Sequence, residues 1–272
     1  MIQDIAPSEL HNHFTGEHIQ EQDRLLCFDQ DGRIFVNVQN GCIRFPNGSQ
    51  AAGVQTVYAF SVDGDRYFIA LPKGGCSDDS FTYMTIRELR DCGSGKELFA
   101  AFTGYHLWRW YADNVFCGRC GAVLAPDDKE RALRCPLCRN VIYPRINPAV
   151  IVGVTNGSRI LITRYRKGYA HNALVAGFTE IGETLEQTVA REVMEETGIR
   201  VKNIRYYKSQ PWGMAQDLLV GFFCDADGSC DIRMDENELK YAEWVERDAV
   251  VLQPNNLSLT NEMMKVFRDH QI

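Results

Sequence analysis

The chain has 272 residues, is 45% hydrophobic and 24% charged, and carries a formal net charge of −7. That length leaves room for two domains or one large one, and the acidic balance excludes a broad, non-specific grip on a phosphate backbone, which needs a basic surface. No apolar run approaches the ~20 residues that span a bilayer, and the start MIQDIAPSELHNHF lacks the basic region and apolar stretch of a secretory signal. The expectation is a soluble, cytoplasmic protein with no membrane contact.

In chain order, residues 24–72 carry strand signals. RLLCFDQDGRIFVNV and YAFSVDGDRYFIALP each place two apolar runs around an Asp-Gly, the pattern of a hairpin. KELFAAFTGYHLWRWYADN spaces Leu98, Phe99, Phe102, Leu107 and Trp110 near a helical repeat, with Gly104 as a weak point. A compact cysteine-rich insert follows. Apolar runs Ala149–Val154 and Ile160–Thr163 then flank an Asn-Gly, another hairpin signal. An acidic helix, a strand around Ile204–Lys208, an apolar strand Leu218–Phe223, a last strand near Tyr241–Val245 and a helical tail SLTNEMMKVFRDH complete the chain. Boundaries near 113 and 142 divide it into a β-rich N-terminal domain with a helix (1–113), the insert (114–142) and a C-terminal domain (143–272).

Four of the ten cysteines form two tight pairs, Cys117/Cys120 and Cys135/Cys138, separated by 14 residues. Two residues between paired thiolates let both reach one ion from a tight turn. Four thiolates then close a tetrahedral zinc site with no position for water, a structural ribbon. Two roles fit such a ribbon: nucleic-acid contact through Arg119, Lys129, Arg131, Arg134 and Arg139, or a structural staple, which is the preferred reading. The six scattered cysteines read as buried thiols.

REVMEETG, residues 191 to 198, stacks Glu192, Glu195 and Glu196 on neighbouring turns of one helix. Each like-charged pair costs such a helix roughly 0.2–0.5 kcal/mol, and the last turn favours cations over anions. Thr184 and Gln187 form a capping box. Leu185, Val189 and Val193 supply a buried stripe, and Gly198 suits the left-handed end. Gly177 and Gly182 mark a bent loop that brings backbone beside the carboxylates, and the Arg191 fork is placed to pair with Glu183 or a neighbour. A hard divalent cation such as Mg²⁺ or Mn²⁺, bound through oxygen ligands and shared with substrate phosphates, relieves the crowding.

Residues 177–199 resemble the Nudix box, G-x5-E-x7-R-E-U-x-E-E-x-G-U with U aliphatic: Gly177, Glu183, Arg191, Glu192, Val193, Glu195, Glu196, Gly198 and Ile199 fill its positions. Ser209-Gln210-Pro211-Trp212, the preceding four-cysteine ribbon, YPRINP (143–148) and AGF (176–178) resemble the NADH pyrophosphatase (NAD diphosphatase) family of Nudix hydrolases. The resemblance implies an α+β protein. Its C-terminal domain is expected to be a Nudix α/β/α sandwich with a mixed sheet, preceded by a zinc ribbon and a β-rich N-terminal domain.

The implied activity is metal-dependent hydrolysis of NAD(H) to nicotinamide mononucleotide and AMP, together with removal of NAD caps from RNA 5′ ends, by a homodimer. Implied ligands for two or more Mg²⁺ or Mn²⁺ ions are Glu192, Glu195, Glu196, Glu238 and the Ala176 carbonyl. One of the three box glutamates is to handle the attacking water, while Glu183 and Arg191 are structural. Implied substrate contacts are Phe178, Tyr143, Glu130, Gln210 and Trp212, with Arg87 more distant. One zinc per chain is implied for the cysteines. After SQPW the family usually continues Pro-Phe-Pro-x-Ser, whereas this chain has Gly213-Met214-Ala215-Gln216-Asp217, so a looser loop without an aromatic face is expected. Two alternatives stay open: a Nudix hydrolase of ADP-ribose or another nucleoside diphosphate derivative, and a zinc-ribbon nucleic-acid-binding regulator whose Nudix domain senses a ligand.

Overall fold

The computed structural model describes residues 1–71, 76–93, 95–167 and 171–272. These divide into two compact units: Ile2–Arg145 with Trp212–Gln216, and Ile146–Pro211 with Asp217–Ile272 and Met1. Among the described residues no helix is long and apolar enough to cross a membrane.

In the first unit, strands Thr56–Val62 and Asp65–Ala70 form the expected antiparallel hairpin. Asp63 and Gly64 turn it with φ of 52° and 88°, the paired positive values that match strand twist. Pro72, which ends that run, lies outside the described residues. The hairpin expected from the preceding run is reduced to its tip, a single antiparallel bridge between Phe28 and Ile34. Arg24–Leu26 instead pairs in parallel with Asp65–Ala70, and Ile34–Gln39 pairs with Cys42–Arg44 and Thr82–Met84. The consecutive Leu25 and Leu26 are both fully buried. Neighbouring side chains of a strand point to opposite faces, so this strand needs cover on both sides, and a two-stranded hairpin does not supply it.

Helix Lys96–Asp113 forms as expected. Gly104 lets Leu26 pack close against the helix, because a Cβ there would overlap the Leu26 side chain. A second helix, Ile86–Cys92, begins with a capping box between Thr85 and Glu88. The cysteine insert folds around three antiparallel two-residue strands, Ala125–Pro126, Leu133–Arg134 and Val141–Ile142.

The second unit contains β1 (Asn147–Asn156), β2 (Arg159–Tyr165), β3 (Val175–Phe178), α1 (Leu185–Thr197), β4 (Arg200–Trp212, whose last residue belongs to the first unit), β5 (Asp217–Asp227), β6 (Leu239–Glu246) and α2 (Leu259–Arg268). They build one mixed sheet in the order β4-β5-β1-β2-β6. β1 and β5 run parallel, while β2 pairs antiparallel with β1 and with β6. β2 stays with β1 only near the turn, at Thr155 and Asn156; along Ala149–Val152 its place is taken by β3.

Alternation along the strands assigns the two faces. Val150, Val152, Val154, Leu161, Val175, Val220 and Phe222 pack under Val189 and Val193 of α1. Ile151, Ile160, Ile162 and Phe223 pack under Leu259, Met263, Met264 and Phe267 of α2. Helix, sheet and helix form the expected α/β/α sandwich.

Asp217, at the start of β5, is buried, and its Oδ1 has no hydrogen-bond partner among the described residues. Burial pushes its carboxyl up to about 6, against a weaker pull down from Asn147. An acid whose folded value is raised binds its proton in the native state where the unfolded chain has already released it. Stability therefore falls as pH rises from about 4 to about 6. Asp217→Asn is expected to raise stability at pH 8 by about 2 kcal/mol, several degrees in Tm, with the gain vanishing at pH 4. Thermal melts of both proteins at the two pH values check this, and a gain that does not depend on pH would refute it.

Candidate active site

The acidic helix is fixed at both ends as its sequence indicates. The Thr184 hydroxyl accepts from the Gln187 N–H at 3.3 Å and Gln187 Oε1 accepts from the Thr184 N–H at 2.8 Å. Gly198 closes the helix at φ 71°, its N–H donating to the Met194 carbonyl at 2.9 Å. With Val189 and Val193 fully buried and Leu185 packed beside them, the 3.6-residue period sends the three glutamates to graded depths. Glu196 lies against the buried stripe at 2% exposure, Glu192 is mostly buried, and the Glu195 side chain is 59% exposed.

Arg191 partly answers the like-charge crowding. Its Nε and Nη2 donate to the two oxygens of Glu183 at 2.6 and 2.9 Å, a bidentate pair. Its Nη1 donates to Glu192 Oε1 at 2.7 Å and Glu195 Oε2 at 2.9 Å, and Nη2 also reaches the Phe178 carbonyl at 2.8 Å. Arg191 first, then the Glu180 N–H and the Thr188 hydroxyl, hold Glu183 down at about 2. Glu183 is thus a permanent anion committed to the guanidinium.

The remaining charge is uncompensated. Burial pushes Glu196 up to about 8, and the charges of Glu192 and Glu238 push the same way, against hydrogen bonds from Tyr165 and the Ala176 amide. Burial raises Glu192 as well, opposed by Arg191 and reinforced by Glu195 and Glu238. Glu192, Glu196 and Glu238 therefore share one electrostatic neighbourhood, in which Arg191 reaches Glu192.

Close backbone approach completes the arrangement. A Cβ on Gly177 would overlap the Glu192 carboxylate, so glycine is what lets β3 lie against the helix at this point. Hard oxygen donors in a net-negative, half-buried cluster fit a Mg²⁺- or Mn²⁺-type ion. Their spacing is open: among the described residues only the cysteine quartet brings three or more His, Cys, Asp or Glu ligand atoms within 4.8 Å of one another. The glutamates thus suit an ion that takes part of its shell from water and phosphate oxygens.

The quartet itself is closed. Cys117 and Cys138 Sγ lie 3.6 Å apart, and Cys120 and Cys135 Sγ 3.4 Å apart. A Zn–S distance of about 2.3 Å gives a tetrahedron with edges of about 3.8 Å, so the four sulfurs fit one zinc ion. The turns that present them are built from backbone bonds, Cys117 N–H to the Ala122 carbonyl and Cys135 N–H to the Asn140 carbonyl. Backbone N–H groups, that of Arg119 first, hold the Cys117 thiol down at about 6, toward the thiolate a metal requires.

Of the five basic residues that kept nucleic-acid contact open, two are engaged within the unit. Arg134 pairs with Asp127 at 2.6 Å, and Arg131 donates to the Asn12 carbonyl at 3.2 Å. Three two-residue strands make a core too small to fold unaided. Cys135→Ser is therefore expected to abolish zinc content and unfold the ribbon. Atomic absorption together with proteolysis within 114–142 checks this, and an intact ribbon without zinc would refute it.

Two family models match the chain: the NUDIX domain over residues 145–267 and the NADH pyrophosphatase zinc ribbon domain over residues 112–143. Residues 145–267 thus match a Nudix domain, preceded by a zinc ribbon of the NADH pyrophosphatase kind. It is 43% identical over 173 residues to the NAD-capped RNA hydrolase NudC of an Enterobacter species, and 46% identical over 174 residues to the protein of the same name from Klebsiella pneumoniae. Each match covers 62% of this chain and 66% of the relative, just under two thirds of that protein's length. Among solved structures, the crystal structure of a Nudix hydrolase from Nitrosomonas europaea has the same fold, with a TM-score of 0.51 at 21% identity over 57% of this chain and 91% of that one.

Within the Nudix unit the structure brings together Ala176, Phe178, Glu183, Arg191, Glu192, Glu195, Glu196 and Glu238. The Phe178 ring is 54% exposed, and its carbonyl is held by Arg191. In the other unit Tyr143, 57% exposed, donates its hydroxyl to Glu130 at 3.1 Å. There Trp212 packs its ring 5.7 Å from that of Phe102, and Arg87 is exposed on helix Ile86–Cys92.

Gln210, also expected as a substrate contact, is held inside the fold. It is fully buried, accepts from the Leu259 N–H at 2.7 Å and donates to the Leu257 carbonyl at 2.9 Å. Its amide ties down the start of α2.

The loop after SQPW is closed by contacts within the unit. A Cβ on Gly213 would run into the backbone carbonyl of Phe102, so the glycine allows an approach that a larger residue would block. Turn bonds from the Ala215 N–H to the Trp212 carbonyl and from the Gln216 N–H to the Gly213 carbonyl, both 3.3 Å, close it. Gln216 Oε1 then accepts from Arg145 Nε at 3.0 Å. Sequence reasoning missed Tyr165, whose hydroxyl lies 2.9 Å from Glu196 Oε1. No local pattern marks it.

Proposed function

We propose that the protein is a divalent-cation-dependent hydrolase that adds water across the diphosphate of NAD(H), giving nicotinamide mononucleotide and AMP, and that it removes NAD caps from RNA 5′ ends. The observation that carries the reading is the cluster of Glu192, Glu196 and Glu238, half-buried and short of positive charge beside the Ala176 carbonyl, in a chain 42–46% identical to proteins named NAD-capped RNA hydrolases.

When bound there, Mg²⁺ or Mn²⁺, two or more per site, supplies charge neutralisation of the diphosphate and activation of phosphorus toward water. The protein's own contributions follow from the geometry. Arg191 fixes Glu192 through one oxygen and leaves the other to face the site. Glu195, the most exposed of the three, is held by Arg191 through Oε2 and keeps its other oxygen to accept the proton of the attacking water. Phe178 offers an exposed aromatic face for a base or nicotinamide ring. Glu183 and Arg191 hold the scaffold.

The reading extends to Tyr143, Glu130, Trp212 and Arg87 as substrate contacts, and to one structural zinc per chain. It also takes in the three-domain division at 113 and 142, a homodimer and a cytoplasmic location.

Product analysis tests it: NADH, NAD⁺, ADP-ribose and NAD-capped RNA are each incubated with Mg²⁺ or Mn²⁺, beside a Glu195→Gln control. Nicotinamide mononucleotide released from NAD(H) and lost in the control is the expected result. Turnover of ADP-ribose alone would overturn the substrate, and no turnover of any of the four would overturn the enzyme.

A further inference from the structure

Tyr165 is the last residue of β2, where the β2–β6 ladder slips. Arg164 pairs with Tyr241, but Tyr165 pairs with Leu239, so β6 carries one extra residue at this point. Bulges of this kind re-aim side chains and are frequent beside active sites. Alternation along β2 puts Tyr165 on the same face as Leu161, toward the acidic helix, and just beyond the slip the Arg166 N–H donates to the Glu238 carbonyl at 2.9 Å.

The Tyr165 hydroxyl sits among four polar atoms. It lies 2.9 and 3.0 Å from the two oxygens of Glu196, 2.9 Å from the Ala176 amide nitrogen and 3.3 Å from the Ala176 carbonyl oxygen. A phenol has one proton to donate and lone pairs to accept. The amide can only donate, so it fills an acceptor position on the phenol oxygen. The single proton then goes to the nearer acceptor, Glu196 at 2.9 Å against 3.3 Å for the carbonyl, and the Ala176 carbonyl is left without it. One side chain thus locks Glu196 to β3 while leaving the Ala176 carbonyl oxygen available.

We propose that Tyr165 is a positioning residue for the cation site, holding the Glu196 carboxylate and the Ala176 peptide in the mutual orientation a divalent ion needs. The inference rests on the hydrolase reading given above. Tyr165 touches neither substrate nor the reacting atoms and acts only through these two groups. Partners of this kind, one bond removed from the ligands, typically tune metal affinity or activity by about 10–100-fold.

The test is a double-substitution cycle on the zinc-loaded protein, with Mn²⁺ affinity read by calorimetry without substrate, and kcat and KM read with NADH. Tyr165→Phe is expected to weaken Mn²⁺ binding and lower kcat, each by about tenfold or more, with KM for NADH unchanged within twofold. In a Glu196→Gln background the same change is expected to alter Mn²⁺ affinity less than threefold, because the group it positions is already gone. A general packing defect would instead weaken binding equally in both backgrounds, and that result would overturn the proposal. So would Tyr165→Phe protein that matches the wild type in Mn²⁺ affinity and kcat. Loss of the thermal transition in Tyr165→Phe would assign the residue to folding and overturn it as well. If the wild-type protein neither binds Mn²⁺ nor hydrolyses NADH, the hydrolase reading itself fails, an outcome distinct from all of these.

Discussion

Replacing Glu196 by glutamine is expected to abolish activity while making the cation-free protein more stable. The side chain is 2% exposed, and burial, reinforced by Glu192 and Glu238, pushes its carboxyl up to about 8. In the unfolded chain the value is about 4.3. Because the folded value is raised, the native state keeps a proton that the unfolded chain has lost, and stability falls as pH rises from about 4 to about 8. Glutamine keeps the shape and the acceptor for Tyr165 but carries no charge, so the variant escapes that loss. It is expected to gain at least about 2 kcal/mol at pH 8 with no Mg²⁺ or Mn²⁺ added, and nothing at pH 4. Activity moves the other way. Charge stabilisation by a bound cation is worth several kcal/mol, and each 1.36 kcal/mol is tenfold in rate, so kcat is expected to fall by about 10³-fold or more. Melts at the two pH values beside steady-state kinetics check both signs. A variant less stable at pH 8 would contradict the assignment of Glu196 as a strained functional anion.

Gly177→Ala is the second large effect, and it acts on one carboxylate through one methyl group. The backbone at 177 is not left-handed, so alanine brings no conformational strain and β3 can still pair with β1 through Gly177 opposite Val150. The new Cβ would overlap the Glu192 carboxylate, which must shift by about 1 Å or more. A misplacement of that size at a reacting centre costs on the order of 10²-fold. The expected result is a folded protein with kcat reduced by about 10²-fold. Glu192→Asp, whose shorter side chain avoids the methyl, should then cost less in the Gly177→Ala background than in the wild type. Additive losses in that cycle would mean that the glycine serves something other than Glu192.

What could be read from the sequence was what is local in the chain. The capping box at Thr184, the stripe of Leu185, Val189 and Val193, the left-handed Gly198 and the Arg191–Glu183 pair all lie within 16 residues. Helical period and residue chemistry suffice for such features. The cysteine quartet was legible for the same reason, since its two turns carry their own spacing. Pairing between distant strands was not. Nothing in RLLCFDQDGRIFVNV shows that Leu25 and Leu26 will seek Asp65–Ala70 instead of closing a hairpin on Ile34–Gln39. A signature also records residue types and not which way a side chain faces, as the buried Gln210 amide illustrates. Gly213 was read from what it lacks, an aromatic ring and a stiff backbone, when its consequence is the close approach to Phe102 that it permits. Tyr165 meets Glu196 across 31 residues of sequence, and no local window along the chain shows that contact.

Counting Mn²⁺ bound to the zinc-loaded protein by electron paramagnetic resonance, in the wild type and in a Glu192→Gln/Glu196→Gln double variant, tests most directly whether the crowded glutamates of α1 are a cation site. Bound Mn²⁺ in the wild type that is lost in the folded double variant, with zinc content unchanged, is the predicted result. Equal Mn²⁺ binding in both proteins, or none in the wild type even with NADH present, would contradict it.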